Sequence, residues 1–359
     1  REIPSSVYNL EQLEELALLY TWIREVSEDI GKLKKLKYLS LPRGLRKIPS
    51  SVYRLEQLKS LFLCATAQKE IPKEIENLKN LEYLNINMPI EELPVSICKL
   101  ESLKNLRLYD AELIMLPESI GDLSTLEQLY LPNTIEKIPA SLYNLEKLKV
   151  LSIPGVAITE LPEGIGQLTN LERLDLSETW IKVLSDGFDK LIKLKNLRLP
   201  RSLEKLPNGF DKLVNLENLY IEENHGLKHF PDLSNFTKLT YFSYTLHKDE
   251  YYDANIEIWR ALEEKLPNCD FTILNENDEQ IKRALADHRR LKRLFTKETN
   301  DDAKALSQIE EELDKHIRFE ERVLFPKIQK VATEDQLTLI EKIHQQDDFI
   351  DKLDDEFWK

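Results

Sequence analysis

The chain has 359 residues, 32% of them charged and 42% apolar, with a formal net charge of −14. That composition fits a soluble globular protein and excludes collagen-like and broadly disordered classes. No apolar run approaches the 18 residues that a membrane-spanning helix needs. From residue 275 to the end there are 16 basic and 22 acidic residues. Neither part therefore carries a basic block, which argues against nucleic acid or an anionic membrane as partner. Cys64, Cys98 and Cys269 form no metal-type or redox-type spacing, and an odd, sparse set reads as reduced thiols in a cytoplasmic protein. The chain opens at Arg1, already inside a repeat, and reads as a fragment or processed product.

A repeat dominates the sequence. An Ile/Leu-Pro step recurs at Pro4, Pro49, Pro72, Pro94, Pro117, Pro139, Pro162, Pro207 and Pro231, with Ser27 and Ser185 on the two missing beats. The spacings run between 22 and 24 residues. In phase with it runs apolar-x-x-apolar-x-apolar, as in Leu58-x-x-Leu61-x-Leu63 and Leu171-x-x-Leu174-x-Leu176, ending at Leu239-x-x-Phe242-x-Tyr244. This gives 11 units over residues 1–247. The Leu-x-Leu step has the period of a short strand with one buried face. The stretch after each proline has apolar residues three or four apart and predicts a short helix or 3₁₀ turn, with proline at its first position. One unit cannot bury its own leucines, whereas stacked units share a continuous core.

The unit Leu161-Pro-Glu-Gly-Ile-Gly-Gln-Leu-Thr-Asn-Leu-Glu-Arg-Leu-Asp-Leu resembles the intracellular leucine-rich repeat class. That resemblance implies a right-handed α/β solenoid with a parallel sheet on its concave face. The family's asparagine after the strand is matched at Asn133 and Asn224 and mostly replaced elsewhere, which predicts a less regular ladder. Residues 248–274, with an amphipathic stretch at 256–266 and a strand-like end, read as the C-terminal cap of the solenoid. The outward strand positions include Phe62, Tyr83, Arg107, Tyr109, Tyr130, Arg173, Arg198 and Tyr220. Tyrosine and arginine on an open surface are typical of protein recognition, although strands also favour tyrosine by propensity alone. His225 and His229 fall in a loop-like stretch, where their spacing aims at no common ion.

From about residue 275 the period turns helical, predicting helices near 278–297, 303–324 and 334–357. His288, His316 and His344 fall one per helix on the apolar stripes, and Glu320 and Asp348 lie one turn beyond His316 and His344. Imidazoles and carboxylates converging in a helical bundle are a di-metal arrangement suited to iron, manganese or zinc. The alternative is a core histidine at each place. Asp287-His288-Arg-Arg-Leu and His316-Ile-Arg-Phe-Glu320-Glu-Arg-Val-Leu-Phe-Pro326 resemble the hemerythrin-like cation-binding family. That resemblance implies a four-helix bundle holding di-iron, with His288, His316, Glu320 and His344 at ligand positions and Asp348 where histidine is frequent. Only 11 residues follow Asp348, too few for a fourth helix. Truncation, a helix donated by a second subunit, and a decayed site each account for that, and a homodimer through the tail would cover the apolar face left bare.

The sequence thus predicts a non-enzymatic scaffold that binds a protein partner on its concave face, coupled to an iron-binding, oxygen- or iron-sensing module. Two alternatives remain: a di-iron redox enzyme delivered by the repeats, and a metal-free structural protein.

Overall fold

The computed structural model describes residues 2–64, 68–221, 224, 227, 233, 235–245, 266 and 269–274. All lie within Arg1–Leu274, the first of two units into which the chain divides. The calls on the stretch 256–265, on His225 and His229, and on everything from residue 275 fall outside the described residues.

The strands in chain order are β1 Glu15–Ala17, β2 Tyr38–Ser40, β3 Ser60–Cys64, β4 Tyr83–Asn87, β5 Asn105–Arg107, β6 Gln128–Tyr130, β7 Val150–Ser152, β8 Glu160–Leu161, β9 Arg173–Asp175, β10 Val183–Leu184, β11 Asn196–Arg198, β12 Asn218–Ile221, β13 Tyr241–Thr245 and β14 Asp270–Leu274. All but β8 and β10 form one sheet of 12 strands, each hydrogen-bonded to the next along the chain. Every pair is parallel and in the same register: Leu61 lies opposite Leu84, Leu84 opposite Leu106, and Leu106 opposite Leu129. The sheet passes Ser27 and Ser185 without a break, and β14 extends it beyond the last repeat. β8 and β10 pair separately, just before their units' Pro162 and Ser185.

Burial follows the period of two. Strand leucines such as Leu39, Leu61, Leu84, Leu106 and Leu129 are completely buried, while the residues between them face outward. Fully burying one such side chain stabilises the fold by about 1.5–3 kcal/mol, and each stacked unit contributes several. Leu10 is 52% exposed, whereas the equivalent Leu33 and Leu55, which lie between two stacked units, are fully covered.

Opposite the strands, the first nine units turn through a 3₁₀ helix of five residues, such as Ser5–Asn9, Glu28–Lys32, Ser50–Arg54, Glu118–Asp122 and Ala140–Asn144, and the tenth through a shorter one, Phe210–Lys212. The prolines do not occupy the first helical position predicted for them. They sit one residue earlier, in extended backbone with ψ of 134–153°. There the proline carbonyl accepts the first turn bond, as in Ile120 N–H to Pro117 O at 3.0 Å.

The turns stack by a rule that alternates from unit to unit. The fourth residue of one turn lies against the second residue of the next. In the fourth place stand Tyr8, Gly31, Tyr53, Glu76, Cys98, Gly121, Tyr143 and Gly166. Tyrosine and glycine therefore alternate at Tyr8 and Gly31 and again at Gly121, Tyr143 and Gly166, while Glu76 and Cys98, and Asp189 after Gly166, depart from the pattern. A Cβ on Gly31 would meet Ser51 Cβ at 2.7 Å, and one on Gly121 would meet the Ser141 carbonyl oxygen at 2.2 Å. Conversely, the Tyr143 ring fills the space above Gly164, where a Cβ would come within 2.4 Å of it.

The same stacking explains Ser27. Its backbone N–H donates to the buried Tyr8 hydroxyl at 3.2 Å. The place one turn after Tyr53 is Pro72, and after Tyr143 it is Pro162. Proline has no N–H to give, and the Tyr53 and Tyr143 hydroxyls are buried without a partner. Burial pushes the Tyr143 phenol up to about 12 and that of Tyr53 higher still.

The asparagine expectation needs correction in phase. The cross-repeat position falls three residues after the last strand leucine, where the chain has Asn224 but Thr134 rather than Asn133, which is exposed. Asn224 Nδ2 donates to Pro200 O at 2.8 Å and Leu203 O at 3.0 Å in the preceding unit. Elsewhere hydroxyls take over: Thr134 Oγ1 donates to Leu113 O at 2.7 Å, and Ser202 Oγ to Ile181 O at 3.0 Å. A shorter donor reaches the same carbonyls in these two units, while Gly44, Ala111 and Val156 offer no side-chain donor at all, and the parallel backbone ladder keeps the register there.

Candidate interaction surface

The outward face of the sheet is built from two positions per strand, flanking the central leucine. Parallel register brings equivalent side chains of successive units side by side, about 4.8 Å apart. Phe62 on β3 and Tyr83 on β4 stack with ring centroids 4.8 Å apart. Tyr38 on β2 extends the row, 5.4 Å from Phe62. Arg107 on β5 places its guanidinium 5.4 Å from the Tyr83 ring centre and 4.8 Å from that of Tyr130 on β6. Tyr109 lies two residues beyond the end of β5, yet its ring joins the row at 5.2 Å from Tyr130. Its hydroxyl donates to Ser152 Oγ at 3.0 Å. Burial lifts the Tyr109 phenol above its ordinary value, against a lowering by the Ser152 hydrogen bond.

A second group lies further along. Arg198 on β11 sits 4.2 Å from the Tyr220 ring centre, and Tyr220 on β12 packs 5.1 Å from Tyr241 on β13. Arg173 on β9 is exposed between the two groups. Seven of the eight predicted surface residues thus occupy outward strand positions and Tyr109 stands at a strand end. Tyr38 was not singled out in the sequence, although it holds the same place in its unit as Tyr83.

The flanks differ in kind. Just before each strand runs a row of lysines and glutamates that pair from unit to unit: Lys37–Glu14 at 2.8 Å, Lys59–Glu82 at 3.0 Å, Lys104–Glu82 at 2.7 Å, Lys149–Glu127 at 2.8 Å and Lys195–Glu172 at 2.8 Å. Hydrogen bonds from Lys104 and Lys59 hold the Glu82 carboxyl below its ordinary value. A shallow polar cleft lies along this edge, lined by Lys59, Glu82, Glu101, Lys104 and Thr125 among others. Among the described residues no cluster of three metal-ligating side chains occurs, and no helix is long and apolar enough to cross a membrane. The predicted metal ligands His288, His316, Glu320, His344 and Asp348 lie outside the described residues. Cys64 and Cys98 are free and buried, and burial raises both thiols above their ordinary value.

Compared with known families, the sequence matches the leucine-rich repeat region over residues 3–86, 57–154 and 140–311. The chain belongs to the leucine-rich repeat family. Residues 278–357 match the hemerythrin HHE cation binding domain. No curated protein matches the sequence. Among solved structures, a leucine-rich repeat protein of Leptospira interrogans superposes with a TM-score of 0.55 at 21% identity, over 75% of this chain and 87% of that one. The functional domain of InlJ from Listeria monocytogenes, which includes a cysteine ladder, gives 0.55 at 18% identity, over 74% of this chain and 54% of that one. At these identities the likeness speaks for the leucine-rich repeat fold alone.

Proposed function

We propose that this leucine-rich repeat protein is a cytoplasmic recognition scaffold. In this reading residues 1–247 bind a protein partner on the concave, outward face of the sheet, 248–274 cap the repeats, and 275–359 form a cation-binding module. The observation that carries the recognition role is the row of Tyr38, Phe62, Tyr83, Arg107, Tyr130 and Tyr109. Large rings and a guanidinium occupy neighbouring strands where the fold itself demands nothing of an outward side chain. Aromatic and arginine side chains dominate binding hot spots, the rings through the large area each buries and the guanidinium through its planar fork of donors. The free, buried Cys64 and Cys98 favour the cytoplasm.

The test is selection of a random 12-residue peptide display library on the full chain, followed by binding of the selected clones to Y83A/Y130A. Clones that lose tenfold or more on the variant support the reading. Clones that bind wild type and variant alike move the site away from this face.

The cation role rests on the hemerythrin HHE match over residues 278–357. The donor set fits it: His288, His316 and His344 offer imidazole nitrogens and Glu320 and Asp348 carboxylate oxygens, a mixture suited to mid-first-row ions. We assign iron as the ion, with these five residues as its ligands. Iron would supply redox and oxygen-binding chemistry, and the protein residues would fix it in place. Elemental analysis of protein grown with added iron, with melting curves of wild type and His316→Ala, checks this. Iron in the wild type and its loss in the variant are expected; protein free of iron whose melting ignores chelator refutes it.

A further inference from the structure

The sheet face carries cations without counter-ions. Among the outward positions of the inner strands, from β2 to β13, there are three arginines, Arg107, Arg173 and Arg198, and one acid, Asp175, while the end strands β1 and β14 carry Glu15 and Asp270. The chain as a whole has 14 more acidic than basic charges, whereas the outward face is balanced over the whole sheet and basic along its inner strands. Among the described residues none of the three arginines has a carboxylate within ion-pair distance, while lysines along the neighbouring edge are paired.

The nearest acid does not serve them. Asp175 lies directly opposite Arg198 in the parallel register. Its Oδ1 instead accepts from the Ser177 backbone N–H at 3.0 Å and hydroxyl at 2.6 Å. Arg198 turns to the Tyr220 ring. Arg107 is held between two tyrosine rings with its Nε buried and without a hydrogen bond. An incoming anion would therefore meet its terminal nitrogens. A guanidinium fixed in this way has already lost much of its conformational freedom and hydration, so pairing it with a carboxylate costs little further order. Beside it, the buried Asn105 Oδ1 also lacks a partner. A polypeptide backbone could supply the missing N–H after a small side-chain shift.

From these observations we infer that the partner presents an extended acidic peptide segment, laid across the strands. Its carboxylates pair with Arg107, Arg198 and Arg173, and its apolar side chains rest on the tyrosine and phenylalanine rings. Arg107 and Arg198 are four strand spacings apart in the sheet order, or about 20 Å, which an extended chain spans in about six residues. The acidic residues of the segment are thus spaced by about six. This inference rests on the sheet face being the recognition surface.

The test is fluorescence anisotropy on the full chain with three labelled probes: the peptide EYEGEYEGEYEG, the same peptide with lysine for each glutamate, and a 12-nucleotide oligothymidylate. The acidic peptide is expected to bind at least tenfold tighter than either of the others. R107Q/R198Q should weaken it at least tenfold, and Lys149→Glu, on the paired edge, should leave it within twofold. R173Q/R198Q repeats the test on exposed residues alone, should R107Q disturb the ring stack, and should also cost at least fivefold. Equal binding of the two peptides, tighter binding of the oligothymidylate, or indifference to both arginine pairs overturns the inference. If clones from the display library respond to Y83A/Y130A while the acidic probe shows no preference, the acidic partner falls and the recognition face stands. If neither responds, the face reading falls with it.

Discussion

Gly121 offers the sharpest test of how the units are held together. It lies in a 3₁₀ turn with ordinary negative φ, where alanine would normally be favoured over glycine by up to about 1 kcal/mol. Stacking reverses that sign. A Cβ at Gly121 would lie 2.2 Å from the Ser141 carbonyl oxygen and 2.9 Å from the carbonyl carbon, whereas ordinary Cβ contacts begin near 3.4 Å. The two turns must part by about 1 Å, and overpacking of this kind costs about 1–3 kcal/mol. Gly121→Ala should therefore destabilise the repeats by about 1–2 kcal/mol, read as a lower urea midpoint by circular dichroism. Gly31→Ala meets a different obstacle, the Ser51 side chain, with Cβ at 2.7 Å and Oγ at 3.4 Å, while the Ser51 carbonyl oxygen stands off at 3.6 Å. Ser51→Gly should then rescue Gly31→Ala by about 1 kcal/mol in a double-mutant cycle. Ser141→Gly should not rescue Gly121→Ala, because the obstacle there is backbone. A Gly121→Ala protein as stable as wild type, or its rescue by Ser141→Gly, would refute the stacking rule.

Three further outcomes follow from single sites. Tyr143→Phe removes a buried hydroxyl without a partner and should raise stability by about 1 kcal/mol, whereas Tyr8→Phe removes the acceptor for Ser27 N–H and should lower it; thermal melts of both variants check the contrast. Glu178 holds a left-handed φ of 59°, where the preceding unit has Gly155 at 69°, so Glu178→Gly should raise the melting temperature by an amount worth up to about 1 kcal/mol. Glu28 is raised by burial but lowered more by hydrogen bonds from the backbone N–H groups of Ser51 and Ser50 and the Ser50 hydroxyl, so its folded value lies below the ordinary carboxylate value. Its contribution is complete above that ordinary value and lost as pH falls through the folded one. Glu28→Gln should thus be less stable than wild type at neutral pH, with the two denaturation midpoints converging in acid.

The repeat was legible because its two signals, Ile/Leu-Pro and Leu-x-x-Leu-x-Leu, report directly on burial and backbone conformation, and both are local. The outward residues followed from the same period of two. What escaped was pairwise across units. Ser27 reads as a lapse in the proline pattern until Tyr8, 19 residues upstream, is seen to need its N–H. The tyrosines at 8, 53 and 143 and the glycines at 31, 121 and 166 lie in plain view in the same place of their turns. Their meaning depends on which turn positions touch, which one unit does not disclose. Asn133 stands one residue short of the cross-repeat position for a related reason: the geometry selects a donor at a fixed distance from the last strand leucine, which residue type alone does not report. The unpaired state of Arg107 and Arg198 was equally hidden. Asp175 is close to Arg198 in register, and only the side-chain geometry shows it committed to Ser177.

Why the face uses arginine while its edge uses lysine bears on how a partner would arrive. Lysine pairs as a mobile point charge and suits the exposed glutamates one unit away. Arginine lies flat on tyrosine and keeps charge available at the plate's rim. The consequence is an opposition of ranges. At a distance an acidic segment meets a chain of net charge −14 and is repelled. Within the Debye length, about 8 Å at physiological ionic strength, it meets the three arginines and is attracted. Added salt screens both, but the long-range repulsion acts on approach and the short-range attraction on the docked state. Raising salt from about 50 to 300 mM should therefore leave the association rate of the acidic peptide unchanged or slightly higher, and speed its dissociation. Stopped-flow anisotropy separates the two. An association rate that falls steeply with salt would mean that the peptide is steered by a positive field this chain does not possess, and would place its binding site somewhere other than this face.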